Sequence, residues 1–225
     1  MHTMNRRQVL AGLLAAGTTL AGCGQKSESQ TQASAPGAGP EAGGGTSQDP
    51  VLTALQAAHE AEHALQLSLL NYAEAAASDH PDFALLFQAA ARSCEVRISA
   101  LGNLIGERGG TLPEEPQVPA ASTLSENLAR AVDEAKDLAE NLYPDFRETA
   151  VEAKDTDAIT LISYGVQVWP DAIAIFGDAA DALNAGDSPS GPYYVCPTCG
   201  HLTTVLDFDE CPYCYTTARE FETIE

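Results

Sequence analysis

Positive charge is scarce in this chain. Its 225 residues carry 11 Lys and Arg against 32 Asp and Glu, a formal net charge of −21. That balance argues against binding to nucleic acid or to an anionic lipid surface, both of which select basic patches. It fits solubility at a crowded surface, or a basic electron-transfer partner. Aromatic residues are few, at 6%, with a single Trp at position 169. No Gly-rich phosphate loop, nucleophile elbow or dinucleotide fingerprint is present, which removes the common signatures of nucleotide and acyl chemistry. Beyond Leu20 no apolar run reads as long enough to span a bilayer, which takes about 20 residues.

Cysteine is also sparse, at six residues, yet four of the six are clustered. Cys196-Pro-Thr-Cys199-Gly-His and Cys211-Pro-Tyr-Cys214 are two Cys-x-x-Cys knuckles separated by eleven residues. Each knuckle aims two thiolates at one point, and two facing knuckles close a tetrahedral sulfur site. Such a site suits zinc or a single iron, and spacing does not separate them. A pair of disulfides is the alternative in an oxidising compartment. The paired knuckles, each with a proline (Pro197, Pro212), favour the metal. Gly200, directly after the first knuckle, is free to turn backbone N–H groups toward the sulfurs.

The N-terminus indicates where such a site works. Met1–Arg7 is short and basic, and Val9–Leu20 is an apolar run too short to cross a bilayer. Leu20-Ala21-Gly22-Cys23 closes it, so residues 1–23 read as a signal peptide. The closing tetrapeptide resembles a bacterial lipobox, which implies lipidation of Cys23. The pair Arg6-Arg7 resembles a twin-arginine export signal, with the general secretory route as the alternative. The implied location is the outer face of the bacterial cytoplasmic membrane, or the periplasm, held through the lipid alone. Residues 24–50, rich in Gly, Ser, Gln, Ala and Pro, read as a flexible tether that cannot bury a core.

Residues 51–186 read as an antiparallel four-helix bundle, because apolar residues recur at steps of three and four. The stripes run through Leu55, Ala58, Glu62, Leu65, Leu69 and Tyr72, and through Phe87, Ala91, Cys94, Ile98, Leu101 and Ile105. They continue through Leu128, Ala131, Ala135, Leu138 and Leu142, and through Ile159, Ile162, Val166, Trp169, Ile173 and Phe176. A Pro/Gly/Glu-rich connection over 106–122 is long enough to cross the bundle. Pro170 should kink the last helix or shift its register. The fold class is therefore mainly α, a bundle followed by a small β/loop metal module over 190–225.

This order of parts resembles the rubrerythrin family, whose members join a ferritin-like bundle to a rubredoxin-like domain. The likeness is carried by Tyr193-Tyr194-Val195-Cys196 through Phe221, and by the helix from Glu126-Asn127-Leu128 to Leu142-Tyr143-Pro144-Asp145-Phe146. It spans residues 51–225. The resemblance implies one iron on Cys196, Cys199, Cys211 and Cys214, peroxide reduction at a di-iron carboxylate site in the bundle, and a homodimer. The family's di-iron pattern is a Glu on the first helix, Glu-x-x-His on the second, two Glu on the third and Glu-x-x-His on the fourth. Glu62 matches the first position, and Glu95, thirty-three residues on, the second. Ile98, Ala135, Leu138, Trp169 and Ala172 stand at the others, so only two of about seven positions survive.

The residue chemistry points the same way. Apolar side chains and an indole fill the space that hard iron ions would need. The bundle is therefore expected to have lost its di-iron site, leaving Glu62 as a lone carboxyl on an apolar stripe. A buried carboxyl needs a donor, and the Trp169 indole N–H or a nearby histidine is the expected one. The competing reading is a zinc-protease pattern, His59-Glu60-Ala61-Glu62-His63, with Glu60 as general base. No third ligand follows, since His80 falls in a turn, so His59, Glu60 and His63 read as a solvated face. A milder form gathers a single metal on His59, Glu62, His63 and Glu95. Cys94 reads as a buried hydrophobe. Tyr193, Tyr194, Phe208 and Tyr213 read as shielding around the cysteines, or as the module's own small core. His201 reads as an exposed donor near the metal. Two function classes result: a redox protein carrying one iron, or a zinc-stapled scaffold or binding module.

Overall fold

A computed structural model describes residues 49–225. The proposed leader, Cys23 and nearly all of the proposed tether lie outside the described residues. Helix α1 spans Pro50–Ala76, opened by the Asp49 carboxylate, which accepts from the Val51 N–H at 2.9 Å, and by Pro50 in the first turn. Helix α2 spans Pro81–Glu107 and again begins at a proline. The crossing connection runs without regular structure to Thr123, which forms a reciprocal capping box with Glu126 at the start of α3, Leu124–Asp137. A π-helical segment, Leu138–Leu142, joins α3 directly to α4, Tyr143–Glu152. Helix α5, Thr156–Ala185, starts at Asp155, whose side chain accepts from Ala158 N–H and also pairs with Arg108 at the end of α2. The third helix of the expected bundle is thus α3, the π segment and α4 in continuous succession.

The apolar stripes face one interior. Leu55, Leu69, Phe87, Leu101, Ile105, Ala131, Ile162 and Phe176 are all fully or almost fully buried there. Helix α5 is a continuous helix through Pro170. An irregular turn lies before Pro144. There the Tyr143 N–H bonds back five residues to the Leu138 carbonyl, which advances the helix by one residue. This extra residue turns Tyr143 inward, to 1% exposure. By length and composition α5 would also suffice to cross a membrane, a property the sequence reading did not credit to it. In the fold it carries Ile162, Trp169 and Phe176 into the core.

The C-terminal module is a three-stranded antiparallel sheet in the order β2-β1-β3. Strand β1 is Tyr193–Val195, β2 is Leu202–Thr203 and β3 is Glu222–Ile224. Tyr194 pairs with Thr203 on one side and with Thr223 on the other. The module sits on α2 and α5 of its own bundle. Tyr164 and Val168 of α5 pack against the cysteine cluster, and Arg92 of α2 grips Glu222 through two bonds of 2.5 and 2.8 Å.

Tyr143 reaches the interior only because α5 offers a glycine to its ring. A Cβ at Gly165 would lie 2.0 Å from the Tyr143 ring. Gly165→Ala is expected to cost about 1–3 kcal/mol, as overpacking does. Thermal unfolding followed by circular dichroism would show this as a lower Tm, and an unchanged Tm would contradict the packing described.

Candidate metal centre and the buried charge cluster

The four knuckle cysteines converge. Their sulfur atoms all lie within 4.8 Å of one another, with Cys196–Cys214 at 3.4 Å and Cys199–Cys211 at 3.6 Å. These separations are far too long for disulfide bonds, which measure about 2.05 Å. They are close to the edge of about 3.8 Å that a tetrahedron of 2.3 Å metal–sulfur bonds would have. The donor set therefore fits one tetrahedral thiolate-bound metal.

Both knuckles are built alike. Gly200 N–H bonds to the Cys196 carbonyl at 3.0 Å, and Tyr215 N–H to the Cys211 carbonyl at 3.0 Å. Each of these residues takes a left-handed backbone, with φ of 74° at Gly200 and 62° at Tyr215. The second was not anticipated, since a tyrosine gives no sign of it. The thiols share protons: hydrogen bonds from Cys199 and Cys211 hold Cys196 well below the usual thiol range. Cys211 is pushed up to about 12, chiefly by its bond to Cys196. A bound metal would displace those protons.

Aromatic rings cover the site on several sides. Tyr194, Phe208, Tyr213 and Phe221 pack around the cysteines with Tyr164 and Val168. His201 is not the exposed donor that its position suggested, since it is 4% exposed. Its Nε2 lies 3.0 Å from Asp171 of α5, its Nδ1 faces Cys211 Sγ at 3.9 Å, and its ring packs edge-on against Tyr213. Burial lowers its pKa.

Inside the bundle, Glu62 is completely buried and accepts four hydrogen bonds. Arg97 grips both its oxygens, Nε to Oε1 at 2.7 Å and Nη2 to Oε2 at 3.0 Å. Tyr143 OH donates to Oε1 at 2.6 Å, and the Trp169 indole N–H does so at 3.1 Å, the donor expected from the sequence. Arg97 is 2% exposed and its guanidinium lies over the Trp169 ring, 4.5 Å from the centroid. Burial alone would drive Arg97 toward neutrality, but Glu62, together with Cys94 and Tyr143, outweighs it and the net shift is upward. Burial, with Glu62 adding to it, pushes the Tyr143 hydroxyl and the Cys94 thiol up. The remaining Arg97 donor, Nη1, bonds to Ser93 Oγ at 2.9 Å and to the Gly200 carbonyl at 3.2 Å. Ser93 Oγ donates to the same carbonyl. One side chain therefore joins the bundle interior to the residue that follows Cys199.

The other proposed bundle ligands do not gather. Glu95 lies on the surface, 53% exposed, 3.2 Å from Arg92. The residues of α2 that face Glu62 are Cys94 and Arg97, each one position before the Glu95 and Ile98 that the count chose. His59 corrects a second reading. It is 6% exposed, its ring lies beside Gly102 of α2 and its Nδ1 has no hydrogen-bond partner. Glu60 is exposed and His63 only partly covered. The milder grouping of His59, Glu62, His63 and Glu95 does not form. Among the described residues, the cysteine quartet is the group of His, Cys, Asp or Glu side chains close enough to hold an ion.

No family model matches the chain. It is 27% identical over 154 residues to Rubrerythrin-2 of Clostridium acetobutylicum, covering 66% of this chain and 82% of that protein. Among solved structures, nigerythrin in its mixed-valence state superposes with a TM-score of 0.71 at 24% identity, over 81% of this chain and 90% of that one. Fully reduced, all-ferrous nigerythrin gives 0.71 at 23% identity, over 81% and 91%. An engineered closed form of Archaeoglobus fulgidus ferritin superposes with a TM-score of 0.55 at 15% identity, over 61% of this chain and 86% of that one.

The knuckle meets the bundle at a glycine, where a Cβ would fall 2.5 Å from the Ser93 carbonyl oxygen and 2.6 Å from Arg97 Nη1. Gly200→Ala is expected to speed metal release to a competing chelator by about 10- to 100-fold, the cost usual for losing an outer contact to a ligand. Release at the wild-type rate would mean that docking on α2 does not support the site.

Proposed function

This chain belongs to the rubrerythrin family, and from that premise we propose that it is a one-iron redox protein, acting in electron transfer or oxidative-stress defence, whose bundle no longer takes metal. The iron is held by Cys196, Cys199, Cys211 and Cys214. When bound, it supplies one-electron exchange. The chain's own residues hold the thiolates in a rigid double knuckle, keep water off them with Tyr194, Phe208, Tyr213 and Phe221, and leave Cys214 as the least covered sulfur.

The observation that carries the reading on the bundle is the Arg97 guanidinium on Glu62. A divalent ion about 4 Å from a fixed guanidinium is repelled by about 8 kcal/mol at an effective dielectric constant of about 20. Glu62 already has its charge balanced and four donors, and Trp169 fills the adjoining space. Residues of this kind do not fit two iron ions and leave no place for peroxide chemistry at such a pair.

The reading extends to location and partner. Residues 1–23 serve as a lipoprotein export signal, with Arg6-Arg7 as its twin-arginine element, and Cys23 carries the lipid. The segment before the Asp49 cap of α1, from residue 24, tethers the domain to the membrane. The redox partner is a basic one-electron carrier protein, chosen by complementarity to a chain of net charge −21.

Metal analysis and a visible spectrum of leaderless protein, grown with both iron and zinc, test the assignment. One iron per chain and a red thiolate–iron absorption that dithionite bleaches are expected. Three irons per chain would restore a peroxidase-type bundle site. One zinc and no colour would make the module a structural staple. For the anchor, Cys23→Ala in the full chain is expected to move the protein from the membrane fraction to the soluble fraction. Unchanged partition would remove the lipid from the account.

A further inference from the structure

We propose that Arg97 is a positioning residue that sets the electron affinity of the cysteine-bound metal, acting through a single peptide unit of the first knuckle. The inference rests on the iron reading above. The unit is the one between Gly200 and His201. Its carbonyl accepts from Arg97 Nη1 and from Ser93 Oγ. Its N–H, on the opposite edge, bonds to the Cys199 thiolate position. A charged donor on a carbonyl polarises the peptide and strengthens the hydrogen bond that the same unit gives away. The guanidinium thereby acts on a sulfur ligand that it does not touch.

Three features make the arrangement directional. Glu62 binds Nε and Nη2, while Nη1 reaches the Gly200 carbonyl, so the positive end of the ion pair faces the first knuckle. Arg97 is buried, so mobile ions screen its charge far less than at a surface. The indole of Trp169 beneath the guanidinium and the glycine at position 200 hold the geometry, since a Cβ there would displace either Ser93 or Arg97.

Adding one electron from a one-electron donor adds one negative charge to the tetrathiolate centre, with no bond made or broken. A fixed positive end and a stronger N–H···S bond favour that reduced state. Glu62→Gln keeps a side-chain oxygen that can accept from Arg97, Tyr143 and Trp169 but leaves the Arg97 charge unneutralised, and is expected to raise the equilibrium constant for reduction about tenfold, or about 59 mV for one electron. Arg97→Met alone would strand a buried carboxylate and risk the fold. The double variant Glu62→Gln/Arg97→Met removes both charges, and is expected to lower the constant about tenfold below wild type.

The test is a dithionite redox titration of the iron-loaded protein and both variants, followed by visible absorbance. Shifts of opposite sign support the inference. Shifts of the same sign, or none beyond about threefold (about 28 mV), overturn it while leaving the iron reading intact. Should the quartet take only zinc, the iron reading fails, and the relay is tested alone by proton NMR of the zinc form. An upfield move of the His201 amide proton in the double variant supports the relay, and an unmoved resonance overturns it.

Discussion

The Arg97–Glu62 pair is the interaction on which the rest of this structure depends. Two opposite charges are buried together, so each needs the other. Removing one partner from such a pair costs about 3–5 kcal/mol, because the survivor is left uncompensated. Around the pair, every neighbour is a donor, an acceptor or a flat surface of the right kind. Tyr143 and Trp169 finish Glu62, while Ser93, Gly200 and the indole face finish Arg97. The cluster draws on α1, α2, α4 and α5 and on the first knuckle, which makes it a pin between the bundle and the cysteine module.

A ferritin-like bundle can place carboxylates on facing helices so that cations are held between them. Here one buried carboxylate stands at the centre and the cation on it is the Arg97 side chain. On the reading proposed above, the chemistry of the protein concentrates at the cysteine quartet. The module that carries the quartet is docked through Arg92–Glu222, Tyr213–Asp171 and the Arg97–Gly200 contact. Bundle and cysteine module are therefore joined by hydrogen bonds within one chain.

The fold and the quartet were legible in the sequence because both rest on spacing. Steps of three and four put Leu55 to Tyr72 or Phe87 to Ile105 on one helical face, and Cys-x-x-Cys can place its sulfurs in few ways. The Glu62–Trp169 bond was legible too, since a carboxyl on an apolar stripe demands a donor. Arg97 was missed, although it lies three residues after Cys94 and four before Leu101, so a lone arginine sat on the buried face all along. Counting thirty-three residues from Glu62 picked Glu95 instead, and an error of one residue swings a side chain by about 100° around a helix. Tyr143 was hidden for the same reason in reverse: the π turn adds one residue, with only Pro144 as a sign of it. The burial of His59 and His201 depends on packing between elements distant in sequence, which no local pattern records.

Diffraction data from crystals of iron-grown protein, collected on both sides of the iron absorption edge, would test the central claim most directly. The account predicts one anomalous peak per chain, centred among Cys196, Cys199, Cys211 and Cys214, with Arg97 lying over Trp169 and gripping Glu62. An anomalous peak beside Glu62, with Arg97 swung away, would contradict it.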